Sequence, residues 1–150
     1  MLRKEVEALL ARYPKKEAAI LPALHLVQRK FGYIPAEGEK FVARVLGVRP
    51  VRVREVVTFY TMFSQKPLGK YHLQVCSNLS CTLSGSQGLL DYLREKLGIE
   101  PGNTTADGRF TLSTVECLGA CDQAPCLMVN DDLYGHLDKA KLEALLASLE

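Results

Sequence analysis

Residues 70–81, KYHLQVCSNLSC, change the sequence pattern from helical to extended and contain two cysteines. Leu73 and Val75 alternate with polar residues, which is the two-residue period of a β-strand. The pattern predicts a strand that carries Cys76 at its end, with Cys81 in the loop that follows. The second half of the chain is therefore expected to contain a sheet, with cysteines where its first strand ends.

Downstream of this strand, the sequence predicts the order helix, strand, strand, strand, helix. A helix opens at residues 84–86, continues as a stripe of leucines and is closed by Gly98. Residues 109–115 are rich in Phe, Thr and Val and predict a second strand, which leads to the next pair of cysteines. Residues 126–137 predict a hairpin, and Asp138 is a suitable N-cap for the last helix.

Upstream, residues 1–64 show helical rather than alternating periodicity. Three segments place apolar residues on one helical face, and each is followed by proline or glycine. Residues 51–63 fit both a strand and a helix, and we interpret them as a helix. The chain is thus expected to be α+β or α/β, with an N-terminal helical bundle over residues 1–66 and a mixed domain over residues 67–150.

The amino-acid composition excludes several classes of function. The chain has 150 residues, 47% of them hydrophobic, which is enough for a core. Its 19 basic and 17 acidic residues are scattered, so the sequence does not indicate nucleic-acid binding. No apolar run has the length of a signal peptide or membrane span, which favours a cytoplasmic protein. Five cysteines in a reducing compartment indicate metal or redox chemistry rather than disulfides.

The cysteines include two close pairs, each after a predicted strand. The spacing is Cys76-x4-Cys81, then 35 residues, then Cys117-x3-Cys121. Thiolates are soft ligands that select zinc, iron–sulfur clusters or Cu(I). Structural zinc usually uses tighter Cys-x2-Cys pairs, whereas a two-iron cluster is wider and needs two thiolates on each iron. The spacing therefore favours a 2Fe-2S cluster and leaves a zinc-stabilised interaction domain as an alternative.

Other chemically active residues have simpler interpretations. Cys126 lies in an apolar segment and is expected to be a small buried residue rather than a ligand. Phe59, Tyr60 and Phe63 are expected to pack in a core. The three histidines lie on different predicted elements and are expected to have surface or core roles: His25, His72 and His136. The sequence has no dinucleotide-binding fingerprint or P-loop and no nucleophile–base pair, so we identify no catalytic residues.

The combined motifs resemble one family. They are Thr58-Phe59-Tyr60-Thr61-Met62-Phe63, then Pro67-x-Gly69-Lys70-Tyr71, Cys76-x4-Cys81 and Glu116-Cys117-Leu118-Gly119-Ala120-Cys121-x3-Pro125. Over nearly the whole chain, the sequence is similar to the E subunit of bacterial NADH-quinone oxidoreductase, respiratory complex I. The resemblance implies a thioredoxin-like domain that binds one 2Fe-2S cluster. The cluster ligands implied by the resemblance are Cys76, Cys81, Cys117 and Cys121.

The resemblance also implies partners. These are the flavoprotein subunit that binds FMN, NADH and a 4Fe-4S cluster, together with other subunits of the peripheral arm. The helical region is expected to dock on the flavoprotein, and the chain to lie at the inner face of the membrane only through its complex. Similar subunits occur in the diaphorase modules of NAD-dependent formate dehydrogenases and hydrogenases, which remain an alternative. A thioredoxin-type thiol redox protein is disfavoured because no Cys-x2-Cys pair is present.

Overall fold

The computed structural model describes residues 2–149. Its backbone divides into two compact units, one ending at Pro67 and the other beginning at Leu68. Within residues 2–149, none of the helices is both long enough and apolar enough to cross a membrane.

The first unit is helical. Its α-helices are α1 (Leu2–Leu10), α2 (Ile20–Phe31), α3 (Ala36–Leu46) and α4 (Pro50–Phe59). Each helix turns an apolar stripe inward, as the periodicity predicts. The centre of the resulting core consists of fully buried residues: Val6, Leu24, Val27, Val42, Leu46 and Val53. The predicted N-terminal helices are therefore present.

The chain leaves the fourth helix earlier than the sequence pattern predicts. We expected a helix over residues 51–63, but α4 ends at Phe59, and Tyr60 is already extended. The amide of Gln28 binds the backbone that follows, donating to the Met62 carbonyl and accepting from the Ser64 N–H at 2.8 Å each. Phe63 is buried, whereas Phe59 is 77% exposed and Tyr60 is 37% exposed, so the prediction of core packing was right for Phe63 and wrong for Phe59 and Tyr60.

The second unit is a four-stranded sheet with helices. In chain order its elements are β1 (Tyr71–Cys76), α5 (Leu79–Leu83), α6 (Ser86–Leu97), β2 (Phe110–Val115), β3 (Leu127–Val129), β4 (Asp132–Tyr134) and α7 (Lys139–Ser148). The strand order is β2-β1-β3-β4. Strands β1 and β2 are parallel, whereas β3 is antiparallel to both of its neighbours. The mixed helix-and-sheet architecture is the predicted one.

The core of this unit lies between the sheet and its two longer helices. Five leucines from strands and helices are fully buried there: Leu73, Leu93, Leu112, Leu127 and Leu142. Helix α6 ends at Leu97 and is capped by Gly98, whose φ of 65° is left-handed and favours glycine. Helix α7 begins as predicted, because the Asp138 side chain accepts a hydrogen bond from the Lys141 N–H at 2.8 Å.

Some boundaries differ from the predictions. Strand β2 begins at Phe110, one residue later than predicted, and ends at Val115 as predicted, whereas the hairpin strands are shorter than expected. Helix α5 was not predicted. It has only five residues, too few to show a periodic apolar stripe in the sequence.

Two glycines provide a matched test of packing in the second unit. A methyl group added at Gly69 would lie 2.9 Å from the carbonyl carbon of Phe110, whereas one added at Gly88, inside α6, would meet nothing within 4 Å. We expect Gly69→Ala to lower the free energy of unfolding by about 1–3 kcal/mol through overpacking. Gly88→Ala should instead raise it by about 0.5–1 kcal/mol. Urea unfolding of both variants checks this, and equal effects would contradict the crowding at Gly69.

Candidate metal centre

The two cysteine-bearing segments begin at the same edge of the sheet. Strands β1 and β2 are neighbouring and parallel, with Cys76 paired opposite Val115. The Ser77 N–H donates to the Val115 carbonyl at 2.9 Å, so the strands stay together for one further residue. The segments that follow the two strands therefore leave the sheet side by side, as a site shared by both cysteine pairs requires.

Helix α5 brings Cys81 back to the end of β1. Its first turn is capped by Asn78, whose side chain accepts a hydrogen bond from the Leu79 N–H at 2.9 Å. Cys81 therefore lies on a short helix rather than in the predicted loop. Both Cys76 and Cys81 are buried, and their sulfurs lie within 4.8 Å of each other.

The second pair lies in the segment after β2. Cys117 and Cys121 are both exposed, and Cys121 begins a short 3-10 turn, Cys121–Gln123. The Gly119 N–H donates to the Cys117 sulfur at 3.3 Å, in a turn where Gly119 has a left-handed φ of 72°. Between the two cysteines, Leu118 and Ala120 pack against the cluster of buried cysteines. The loop is thus anchored by its apolar residues and presents two sulfurs at the surface.

Cys126 is the third member of the buried sulfur group. It follows the cis peptide bond Ala124–Pro125 and is 1% exposed, as expected for a small buried residue. Its Sγ lies 3.6 Å from the Sγ of Cys81, and its carbonyl accepts a hydrogen bond from the Cys76 N–H at 3.2 Å. This proximity was not predicted from the sequence. The position of Cys126 directly after Pro125, the last residue of the family motif, was the available signal.

The three buried thiols differ in pKa, partly because backbone N–H groups donate to some of their sulfurs. Burial raises the pKa of Cys76, but hydrogen bonds from the N–H groups of Asn78 and Leu118 outweigh it, so that its pKa is lowered. Burial raises the pKa of Cys81, although the Cys126 N–H acts in the opposite direction. Burial and the neighbouring sulfurs raise the pKa of Cys126 to about 12. Of the three, Cys76 is therefore the best prepared to carry negative charge.

The cysteine sulfurs at this site are suitable ligands for a soft metal centre. Among residues 2–149, Cys76, Cys81 and Cys126 are the one group of three or more histidine, cysteine or acidic side chains close enough to share a metal ion. Iron–sulfur clusters are held by cysteine thiolates, and backbone N–H bonds to those sulfurs tune the reduction potential. The structure brings Cys76 and Cys81 together but does not include Cys117 or Cys121 in that group. The four-cysteine ligand set therefore remains a prediction.

Two of the histidines have other partners. The His25 ring packs against Phe63 with centroids 5.0 Å apart. His72 Nε2 lies 2.7 Å from the Ser113 hydroxyl, and burial lowers the pKa of this histidine. Both have the structural roles that were predicted for them from the sequence.

Known proteins share both the sequence and the fold that surround this sulfur centre. A family model described as thioredoxin-like [2Fe-2S] ferredoxin matches residues 6–150. The chain is 53% identical over 147 residues to the E 2 subunit of NADH-quinone oxidoreductase from Rhizobium meliloti, a match covering 98% of this chain and 88% of that protein. It is 48% identical to NADH-quinone oxidoreductase subunit 2 of Thermus thermophilus, over 96% of this chain and 81% of that protein.

Among solved structures, the fold is similar to part of an NAD+-reducing [NiFe]-hydrogenase in the air-oxidized state. The TM-score is 0.75 with 26% sequence identity. The similarity covers 87% of this chain but 22% of the hydrogenase chain. A similar fold therefore occurs as one segment of that larger protein.

Proposed function

Because the chain belongs to the thioredoxin-like [2Fe-2S] ferredoxin family, we propose that it is the one-electron-carrying E subunit of an NADH-quinone oxidoreductase. Relatives from such oxidoreductases match nearly the full length of the chain. The structural observation that carries the proposal is the sulfur-lined end of two neighbouring parallel strands, where backbone N–H groups donate to cysteine sulfurs.

Four cysteines would hold the cluster: Cys76, Cys81, Cys117 and Cys121. When bound, a 2Fe-2S cluster accepts and releases one electron. Burial of Cys76 and Cys81 excludes water on one side, and the N–H groups of Asn78, Leu118 and Gly119 stabilise negative charge on sulfur. Cys117 and Cys121 are exposed, which supports electron exchange with a partner on their side of the site.

The partner would be the flavoprotein subunit that binds FMN, NADH and a 4Fe-4S cluster, within an assembly that includes other peripheral-arm subunits. We assign docking to the helical residues 1–66 and cluster binding to residues 67–150. Exposed apolar side chains in the first unit support docking there: Phe59 is 77% exposed and Met62 is 49% exposed. This assignment places the chain in the cytoplasm, at the inner face of the membrane through its complex.

A second candidate is the equivalent subunit of a diaphorase module in an NAD-dependent hydrogenase or formate dehydrogenase. The similarity to the NAD+-reducing hydrogenase favours it over other electron-carrier roles. The two candidates share the same cluster chemistry and differ in their partners. Proteins that co-purify with the chain from its native source distinguish them: quinone-reductase subunits support the first, and hydrogenase or formate dehydrogenase subunits support the second.

Metal and sulfide analysis tests the cofactor directly. We expect the purified chain to contain about two irons and about two acid-labile sulfides, because two pairs of thiolates match one two-iron cluster. Reduction with dithionite should give an EPR signal from a spin of one half. Stoichiometric zinc without labile sulfide, in protein isolated from the native source, would refute the proposal and support a zinc-stabilised interaction domain.

A further inference from the structure

The fifth cysteine lies beside an expected cluster ligand without belonging to the ligand set. The sulfurs of Cys126 and Cys81 are 3.6 Å apart, within hydrogen-bonding distance for sulfur, and both residues are buried. Either thiol could donate in the absence of a cluster. Once Cys81 binds iron it is a thiolate and has no proton, so that it can only accept. Ligation therefore leaves Cys126 as the donor.

Cys126 is enclosed in the sulfur-lined site. Its side chain is 1% exposed, and its nearest polar side chains are sulfurs that become negatively charged when they bind a metal. A further negative charge in this buried site would lack both water and a compensating cation. The neutral thiol avoids this cost and can donate its hydrogen to the negative sulfur beside it.

We propose that Cys126 is a positioning residue that donates an S–H···S hydrogen bond to ligated Cys81 and thereby raises the reduction potential of the cluster. The inference rests on the proposed function. A four-thiolate 2Fe-2S centre carries a charge of minus two when oxidised and minus three when reduced, and part of the added electron density resides on the sulfurs. A donor to one of those sulfurs stabilises the reduced state more than the oxidised state.

The backbone allows the side-chain hydrogen bond to be tested separately. The N–H of Cys126 also donates to the Cys81 sulfur, and this N–H remains after substitution by alanine or valine. Cys126→Ala and Cys126→Val therefore both remove the S–H donor and keep this N–H, and valine also fills the space that alanine leaves empty. Val129→Ala is the matched control, because Val129 is a buried residue on strand β3 and has no polar group in its side chain.

The first measurement is the midpoint potential of the cluster-loaded full chain, followed by EPR. We expect both Cys126 variants to shift the midpoint to lower potential, with iron content unchanged, while Val129→Ala stays at the wild-type value. An unshifted midpoint in Cys126→Val would overturn the inference. So would an equal shift in Val129→Ala, because that result would reflect loosened packing rather than loss of a donor.

The second measurement is infrared absorption by the thiol itself. The chain has five cysteines, so when four bind iron, Cys126 holds the one remaining S–H group. We expect a single S–H stretching band that is absent in Cys126→Val and moves to lower frequency on reduction, as its acceptor gains negative charge. A band that does not move on reduction would contradict the hydrogen bond. Loss of iron from folded Cys126→Val would make Cys126 a ligand and also overturn the inference.

Failure of the proposed function has a different signature. In that case the wild-type chain itself would bind no iron or sulfide. A loaded wild-type chain whose midpoint is insensitive to Cys126 would leave the electron-carrier function intact and refute only the hydrogen bond.

Discussion

Replacement of Cys117 by serine is expected to remove, deplete or spectroscopically alter the cluster, the largest effect that we expect from a single substitution. The serine oxygen is a harder ligand than thiolate and matches iron–sulfur chemistry poorly. Cys117 is exposed, so its replacement should cost little packing energy, and the chain should remain folded. Iron content should fall from about two per chain toward zero, or the EPR line shape should change.

The matched control for this substitution is Cys126→Ala. Cys126 is buried and belongs to the group of three close sulfurs, whereas Cys117 does not. We expect Cys126→Ala to cost about 1 kcal/mol of unfolding free energy and to retain its iron. Comparison of the two variants therefore decides whether Cys117 or Cys126 belongs to the ligand set. If Cys126→Ala loses its iron while Cys117→Ser retains an unchanged spectrum, then Cys126 is a ligand and the four-cysteine assignment is wrong.

The second large effect that we expect is on NADH oxidation. The isolated chain is expected to show no NADH oxidation, because its sequence contains no recognisable nucleotide-binding motif. Co-expression with the flavoprotein from the same source should yield a stable complex that reduces an artificial electron acceptor with NADH. Activity should thus rise from an undetectable level to steady turnover, measured by the loss of NADH absorbance.

Two controls show which subunit supplies the NADH turnover and which supplies the 2Fe-2S cluster. The flavoprotein expressed alone reports how much turnover occurs without this chain. The complex carrying Cys117→Ser should still form, since docking is assigned to residues 1–66, but should lack the EPR signal of this chain's cluster. Flavin bound by the isolated chain together with NADH turnover would show that the division of roles between the subunits is wrong.

Local chemistry made much of the fold predictable from the sequence. The alternation of residues 71–76 predicted β1 because successive side chains point to opposite faces of a strand. Asp138 predicted the start of α7 because a carboxylate at an N-cap binds the free N–H groups of the first turn. The motif resemblance added the family, which the match over residues 6–150 confirms.

Errors arose where distant residues decide local conformation. The end of α4 depends on hydrogen bonds between Gln28 and the backbone of residues 62 and 64, which lie more than thirty positions away in sequence. Residues 51–63, whose pattern fits both a strand and a helix, were therefore interpreted as one helix, and Phe59 and Tyr60 were wrongly assigned to the core. Helix α5 escaped notice because five residues are too short for helical periodicity to emerge.

The sequence by itself determined the chemistry of the site: five cysteines, four of them in two close pairs, in a chain with helices before a domain of strands and helices. Spacing along a chain can predict which residues belong to one local segment. Only the tertiary structure decided that Cys126 lies 3.6 Å from Cys81, across 45 positions of sequence. The physical reason is strand pairing, since β3 lies antiparallel to β1 and brings the residue after Pro125 to the strand end where Cys76 and α5 meet.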